Sequence, residues 1–161
     1  MISEAIARAQ AKAPVDVEGL AVDLGLRVHR AYLEKDTSGE LIRLGNGGFQ
    51  INVNANDVLT RQRFTIAHEL GHYIYHRNLI GAGLDDSKAY RSVDGGKYRN
   101  TAIGPREESE ANRFASNLLM PESLLRPCLD EGLDVEALAD AFQVSKQAMR
   151  VRLSRPAQPI L

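Results

Sequence analysis

Phe64-Thr65-Ile66-Ala67-His68-Glu69-Leu70-Gly71-His72-Tyr73-Ile74-Tyr75-His76 is the stretch around which the rest of this chain is organised. It has no proline, and Phe64, Ala67, Leu70, Gly71 and Ile74 recur at the three- and four-residue spacing of an amphipathic helix. Thr60, Arg61 and Arg63 lead into it, and Asn56 or Asp57 is the expected cap. On a helix, His68 and His72 lie about 40° apart around the axis and about 6 Å apart along it, so both rings can point at one ion. Glu69 falls roughly 100° round from His68, a poor place for a third ligand and a good one for holding a water on the ion's open side.

Two ligands and one base is the division of labour that His-Glu-x-x-His encodes in zinc peptidases. A catalytic zinc takes three protein ligands and leaves its fourth position to water, so a further ligand is needed. His76 extends the four-residue ladder but lies about 12 Å along the axis from His68. Three ligands on one straight helix cannot surround an ion, and His76 reads as a core histidine or one that supports a ligand from behind. The acidic run Glu107-Glu108-Ser109-Glu110 opens the next helical pattern, whose apolar stripe is Ala111, Phe114, Ala115, Leu118 and Leu119, closed by Pro121. With Ala111 at zero, the stripe centres near roughly 10–20°, Glu108 falls at about 60°, Glu107 at about 320° and Glu110 at about 260°. Glu110 points away from the stripe. A carboxylate on its core-facing edge demands a partner, which makes Glu108 the expected third ligand and Glu107 the alternative. Asn112, one turn on, is placed to hydrogen-bond a ligand histidine.

The remaining pattern describes an α+β protein. Residues 2–12 read as a helix broken by Pro14, and Asp16 caps a second over Val17–Leu24, ended by Gly25. Leu26–Leu33, Glu40–Leu44 and Phe49–Asn54 are rich in strand formers. Asp36-Thr37-Ser38-Gly39 and Gly45-Asn46-Gly47-Gly48 between them are expected hairpin turns. The prediction is a small antiparallel sheet packed on the His-bearing helix and a second ligand-bearing helix. Gln50, Asn52 and Asn54 give it one polar face, a candidate wall for an extended peptide. Residues 79–106 carry glycines, scattered charge, Tyr90 and Tyr98 without a sustained period, as in a lid, a binding loop or a disordered insert. Residues 122–130 form a short helix before Gly132.

At 161 residues and a net charge of −1, the chain can bury a real core and has no global field drawing it to nucleic acid or an acidic membrane. Its single cysteine, Cys128, excludes an internal disulfide and a cysteine-rich zinc module. No apolar run is long enough to span a bilayer and Met1-Ile2-Ser3-Glu4-Ala5 does not open a signal peptide, so the expected location is cytoplasmic.

The run Arg63 to His72, together with Glu108-Ser109-Glu110-Ala111-Asn112-Arg113-Phe114-Ala115-Ser116-Asn117-Leu118-Leu119-Met120-Pro121, resembles the ImmA/IrrE family of zinc metallopeptidases. Pro14-Val15-Asp16-Val17 and Gly25-Leu26 fit its opening helix, and the likeness covers most of residues 14–121. The resemblance implies a gluzincin-like HExxH endopeptidase of α+β fold. It implies Zn2+ held by His68, His72 and Glu108, the last ten residues before the Leu-Leu-Met-Pro element, with Glu69 as base. It further implies a protein substrate, a helix-turn-helix repressor, cut in a stress or mobile-element response. Residues 79–106 match no family motif. Tyr73, Tyr90, Tyr98 and the arginines remain open as donors to the oxyanion.

Domain organisation is expected to be a peptidase domain over 1–130 and a helix-turn-helix-like element with its tail over 131–161. In the latter, Val135–Leu153 reads as helix, short turn and Ser145-capped helix, with Lys146, Gln147, Arg150, Arg152 and Arg155 as a basic face. Such a pair also packs well against another domain, and DNA contact is the less favoured use of it. The alternative from a binding class is a regulatory or toxin–antitoxin-type module with a non-catalytic metal site and DNA or a partner on the tail. Glu69 speaks against it, since a structural zinc site has no use for a base.

Overall fold

The computed structural model describes residues 1–87, 102–156 and 160. In chain order the elements are α1 (Ile2–Ala9), α2 (Val17–Asp23), β1 (Arg27–Ala31), β2 (Thr37–Arg43), β3 (Phe49–Asn54), α3 (Leu59–His76), β4 (Gly83–Ser87), α4 (Pro105–Leu119), α5 (Glu122–Asp130), α6 (Val135–Phe142) and α7 (Lys146–Leu153). The α+β class is as expected. Among the described residues no helix is long and apolar enough to cross a membrane.

The sheet is mixed rather than purely antiparallel, in the order β1-β3-β2-β4. β2 and β3 form the hairpin turned by Gly45-Asn46-Gly47-Gly48, with Leu41 opposite Ile51. β1 pairs in parallel with β3, Val28 beside Ile51. The segment Asp36–Gly39 is therefore no hairpin turn, because Thr37, Ser38 and Gly39 already belong to β2. The chain leaves β1, passes the place β3 will fill, and returns as β2. Alternation specifies which face a strand buries, not which strand lies beside it. Part of the stretch 79–106 also joins the sheet, as β4 pairs antiparallel with β2, while residues 88–101 lie outside the described residues.

One sheet face carries Leu41, Phe49, Ile51 and Val53 into a core shared with Ile66 and Leu70 of α3. Each such side chain stabilises the fold by about 1.5–3 kcal/mol. The opposite face is polar: Gln50 donates to Asn52, which donates to Glu40 at 3.0 Å. Asn54 departs from this face. It is buried and donates to the carbonyls of Thr37 and Glu34, tying down the start of β2.

Asp16 caps α2 through Gly19 N–H at 2.9 Å. α3 starts differently from expectation: Val58 is its N-cap, with no side-chain cap, and Gln62 instead reaches back to the Asp57 carbonyl. Two arginines tie the C-terminal helices to the body. Arg63 of α3 donates to the carbonyls of Val15 and of Gln143 in the α6–α7 turn. Arg152 of α7 is buried and donates to the Met120 carbonyl at 3.0 Å and to Glu122 at 3.2 Å. Leu138, Phe142 and Met149 continue the same core.

Candidate metal centre

α3 and α4 meet at Gly71. A β-carbon there would lie 3.1 Å from the Ala111 Cα and 3.2 Å from Phe114 Cδ1, so glycine is what lets the two backbones approach this closely. The same closeness brings the second turn of α4 up to the histidine face of α3. Gly39 does the equivalent from the sheet side: a β-carbon would meet Thr65 Cγ2 at 2.4 Å, and it would lie 3.8 Å from Glu69 Oε1. A strand thus runs directly against the helix that carries Glu69.

At this junction His68, His72 and Glu108 converge, each offering one ligand atom within 4.8 Å of the others. The Nε2 atoms of His68 and His72 are 3.0 Å apart. Glu108 Oε2 lies 3.2 Å from His68 Nε2, and its Oε1 lies 3.6 Å from His72 Nε2. His68, Glu69 and His72 are at most 1 % exposed and Glu108 is 7 % exposed. Glu107, the alternative, is taken up elsewhere: its carboxylate accepts the Gly104 N–H at 2.9 Å and caps α4.

The surroundings fit a cation. Asn112 Oδ1 lies 2.9 Å from His68 Nδ1. An amide oxygen only accepts, so the proton of the neutral ring sits on Nδ1 and the Nε2 lone pair faces the Glu108 carboxylate. Two acceptors pressed together in a buried site need a positive charge between them, and two imidazoles with one carboxylate are a donor set suited to a divalent transition metal. Electrostatics point the same way. Burial pushes the His72 imidazole down to about 4; the Glu108 carboxylate opposes this, while His68 and His76 add to it. Burial works to raise Glu108, but hydrogen bonds and positive charge on the His68 and His72 side outweigh that and hold it well below the usual carboxylate range. A metal ion would supply that charge while leaving both rings neutral. A neutral ring beside an ionised acid is the protonation state in which such groups bind metal.

His76 stands behind a ligand, as its place on the helix suggests, but nothing in the sequence points to its contact with Glu110. His76 is buried against His72, and Glu110, pointing away from the apolar stripe as its angle requires, pairs with His76 at 2.9 Å. The ring of Tyr73 packs edge-on to Phe49 and beneath Arg77. Tyr90 and Tyr98 lie outside the described residues.

The model of the Peptidase_M78 family, the IrrE N-terminal-like domain, matches residues 21–154. The chain belongs to that family. The IrrE-like match runs through both helices of the centre and through the C-terminal pair, and it makes the chain a metallopeptidase by family. Metallopeptidase ImmA of Bacillus subtilis (strain 168) is 27 % identical over 133 residues, spanning 80 % of this chain and 72 % of that one. A solved structure of a Mycobacterium tuberculosis transcriptional regulator superposes on 98 % of the chain with a TM-score of 0.65 at 18 % identity. This chain spans about half (48 %) of that protein's length, and at this identity the likeness is one of fold.

Proposed function

We propose that this chain is a zinc endopeptidase of the HExxH type, with His68, His72 and Glu108 as metal ligands and Glu69 as general base. The observation that carries the reading is the convergence of those three ligand atoms within 4.8 Å, with Glu69 next to His68 on the same helix. When bound, zinc supplies Lewis acidity, polarising a carbonyl and making water acidic enough to lose a proton near neutral pH. Glu69 takes the proton of the attacking water and returns it to the leaving amine. Asn112 keeps the His68 ring in the tautomer that leaves Nε2 available.

The substrate in this reading is a protein, a helix-turn-helix repressor, and the setting a cytoplasmic stress or mobile-element response. The family membership and the ImmA relative support a protein substrate. Residues 1–130 form the peptidase body and 131–161 a helix-turn-helix-like element seated on it by Arg63 and Arg152. The test pairs zinc-loaded wild type and Glu69→Gln with a helix-turn-helix repressor, chosen from the genes that flank this one. Wild type should cleave it, and the variant should retain zinc while cleaving about 10²–10⁴-fold more slowly. A repressor that binds the zinc-loaded wild type and stays intact would replace the peptidase reading with that of a partner-binding module.

A further inference from the structure

His72 turns one ring nitrogen toward His68 and Glu108 and the other away from them. The outward atom, Nδ1, lies 3.0 Å from Nδ1 of His76. His76 is itself 4 % exposed, and its Nε2 sits 2.9 Å from Glu110 Oε2. The second oxygen of Glu110 accepts from Arg106 Nε at 3.1 Å, which steadies the carboxylate at the protein surface. These contacts run in one line from the surface to the centre.

The direction of each hydrogen bond follows from what its ends can do. An ionised carboxylate only accepts, so the single proton of a neutral His76 sits on Nε2. Nδ1 of His76 is then an acceptor, and its 3.0 Å contact requires a donor from His72. The proton of His72 therefore sits on Nδ1, leaving a lone pair on Nε2, 3.0 Å from His68 Nε2. His68 reaches the same tautomer through Asn112, a single neutral amide. The two rings are thus supported by different means, one by a dipole and the other by a chain that ends in a charge. A carboxylate behind a ligating imidazole fixes its orientation and raises its basicity.

We propose that His76 and Glu110 form a relay that holds His72 in its metal-binding tautomer and thereby sets the affinity of the centre for its ion. His76 is a positioning residue acting through His72, and Glu110 is the anchor of the relay. The inference rests on the reading of His68, His72 and Glu108 as the metal ligands.

Zinc affinity, measured on the full chain by competition with a chromophoric chelator, tests it. His76→Phe fills the ring's space without an acceptor, and Glu110→Ala removes the anchor at a half-buried position. Each should weaken zinc binding by about 10–100-fold. His76→Asn, whose side-chain oxygen can stand where Nδ1 stood, should recover part of the loss; a residue that merely fills space would give no such difference between Asn and Phe. In zinc-loaded protein carrying 15N-histidine, the ring proton of His72 should be found on Nδ1 and that of His76 on Nε2. A folded Glu110→Ala protein that binds zinc as tightly as wild type, or a His76 proton on Nδ1, overturns the relay and leaves the metal site standing. Wild type that binds no zinc overturns both.

Discussion

The α3–α4 junction and the α6–α7 pair are both helix pairs rich in ionisable side chains, and they dispose of charge in opposite ways. At the junction His68, His72, His76 and Glu108 are all buried and touch one another, directly or in series. In the C-terminal pair the charges are dispersed. Lys146 pairs with Glu136 at 2.7 Å in the open, a contact worth about 0–1 kcal/mol. Arg152 is turned inward, but onto a carbonyl and a partly exposed glutamate. Burial without convergence makes a tether; burial with convergence makes a site. Desolvated ionisable groups repel or strand one another unless something neutralises them, so a cluster of this kind implies a ligand where a lone buried arginine implies only packing.

The largest effect expected from this contrast is on metal binding. Glu108→Ala removes the carboxylate that faces the two imidazoles. Zinc affinity should fall by more than the about 10–100-fold associated with loss of an outer partner, whereas Arg150→Ala on α7 should leave it unchanged. Chelator competition on both proteins measures this. Equal affinities in the two variants would mean that the convergence at the junction has no bearing on metal.

Acid separates the two regions next. The His72 imidazole titrates at about 4 in the fold against 6.5 for a free ring. Between those values the unfolded chain binds more protons than the folded one. Stability of the metal-free protein is therefore intact above about 6.5 and falls as pH drops towards 4, with a loss on the order of 3 kcal/mol for one group across that window. Glu108, also depressed, adds loss of the same sign below the ordinary carboxylate range. Urea unfolding at pH 7, 5.5 and 4.5 should show this slope, and His72→Gln should flatten it. A slope that persists unchanged in His72→Gln would place its origin elsewhere.

The two regions also differ in what the sequence discloses. The α3 register is readable because a 3.6-residue period fixes which side chains share a face. The same arithmetic on α4 puts Glu108 toward the core and Glu110 away from it, as the structure has them. Asn112 follows from Glu108 by one turn. What angles within one helix cannot give is the crossing geometry between two. Glu110 points away from its own stripe yet lands on His76, a contact that depends on how closely Gly71 lets α4 approach. The sheet order is hidden for a related reason, since β3 inserts between β1 and β2 and leaves no mark on either strand's alternation. In the tail, the helix-turn-helix outline is legible from Ser145 and the apolar spacing, while the cap that Asp134 provides for α6 emerges only in the structure. Which of its basic residues turns inward is not, because Arg152 is drawn to a carbonyl at the end of α4.

That carbonyl sets a smaller effect. Arg152→Ala leaves the buried Met120 oxygen without its donor and Glu122 with one arginine fewer. The expected cost is about 1–3 kcal/mol of stability. Because the tether lies apart from the convergent cluster, zinc affinity should not follow it. A fall in affinity as large as the one from Glu110→Ala would show that the tail and the metal centre are energetically one unit.

The smallest expected effect is on DNA. With Arg152 buried and Lys146 engaged by Glu136, two of the five basic or polar residues of the tail's basic face are committed within the protein. α6 itself carries Glu136 and Asp140, and the whole chain has a net charge of −1. Nonspecific affinity for a duplex grows with the number of phosphates neutralised and falls steeply with salt. Zinc-loaded protein should therefore leave promoter DNA unshifted even at low ionic strength, and Arg150→Glu should change nothing. A shift that weakens with added salt and disappears in Arg150→Glu would move the tail from tether to nucleic-acid interface, and the difference between the two helix pairs would then lie in which ligand each one binds.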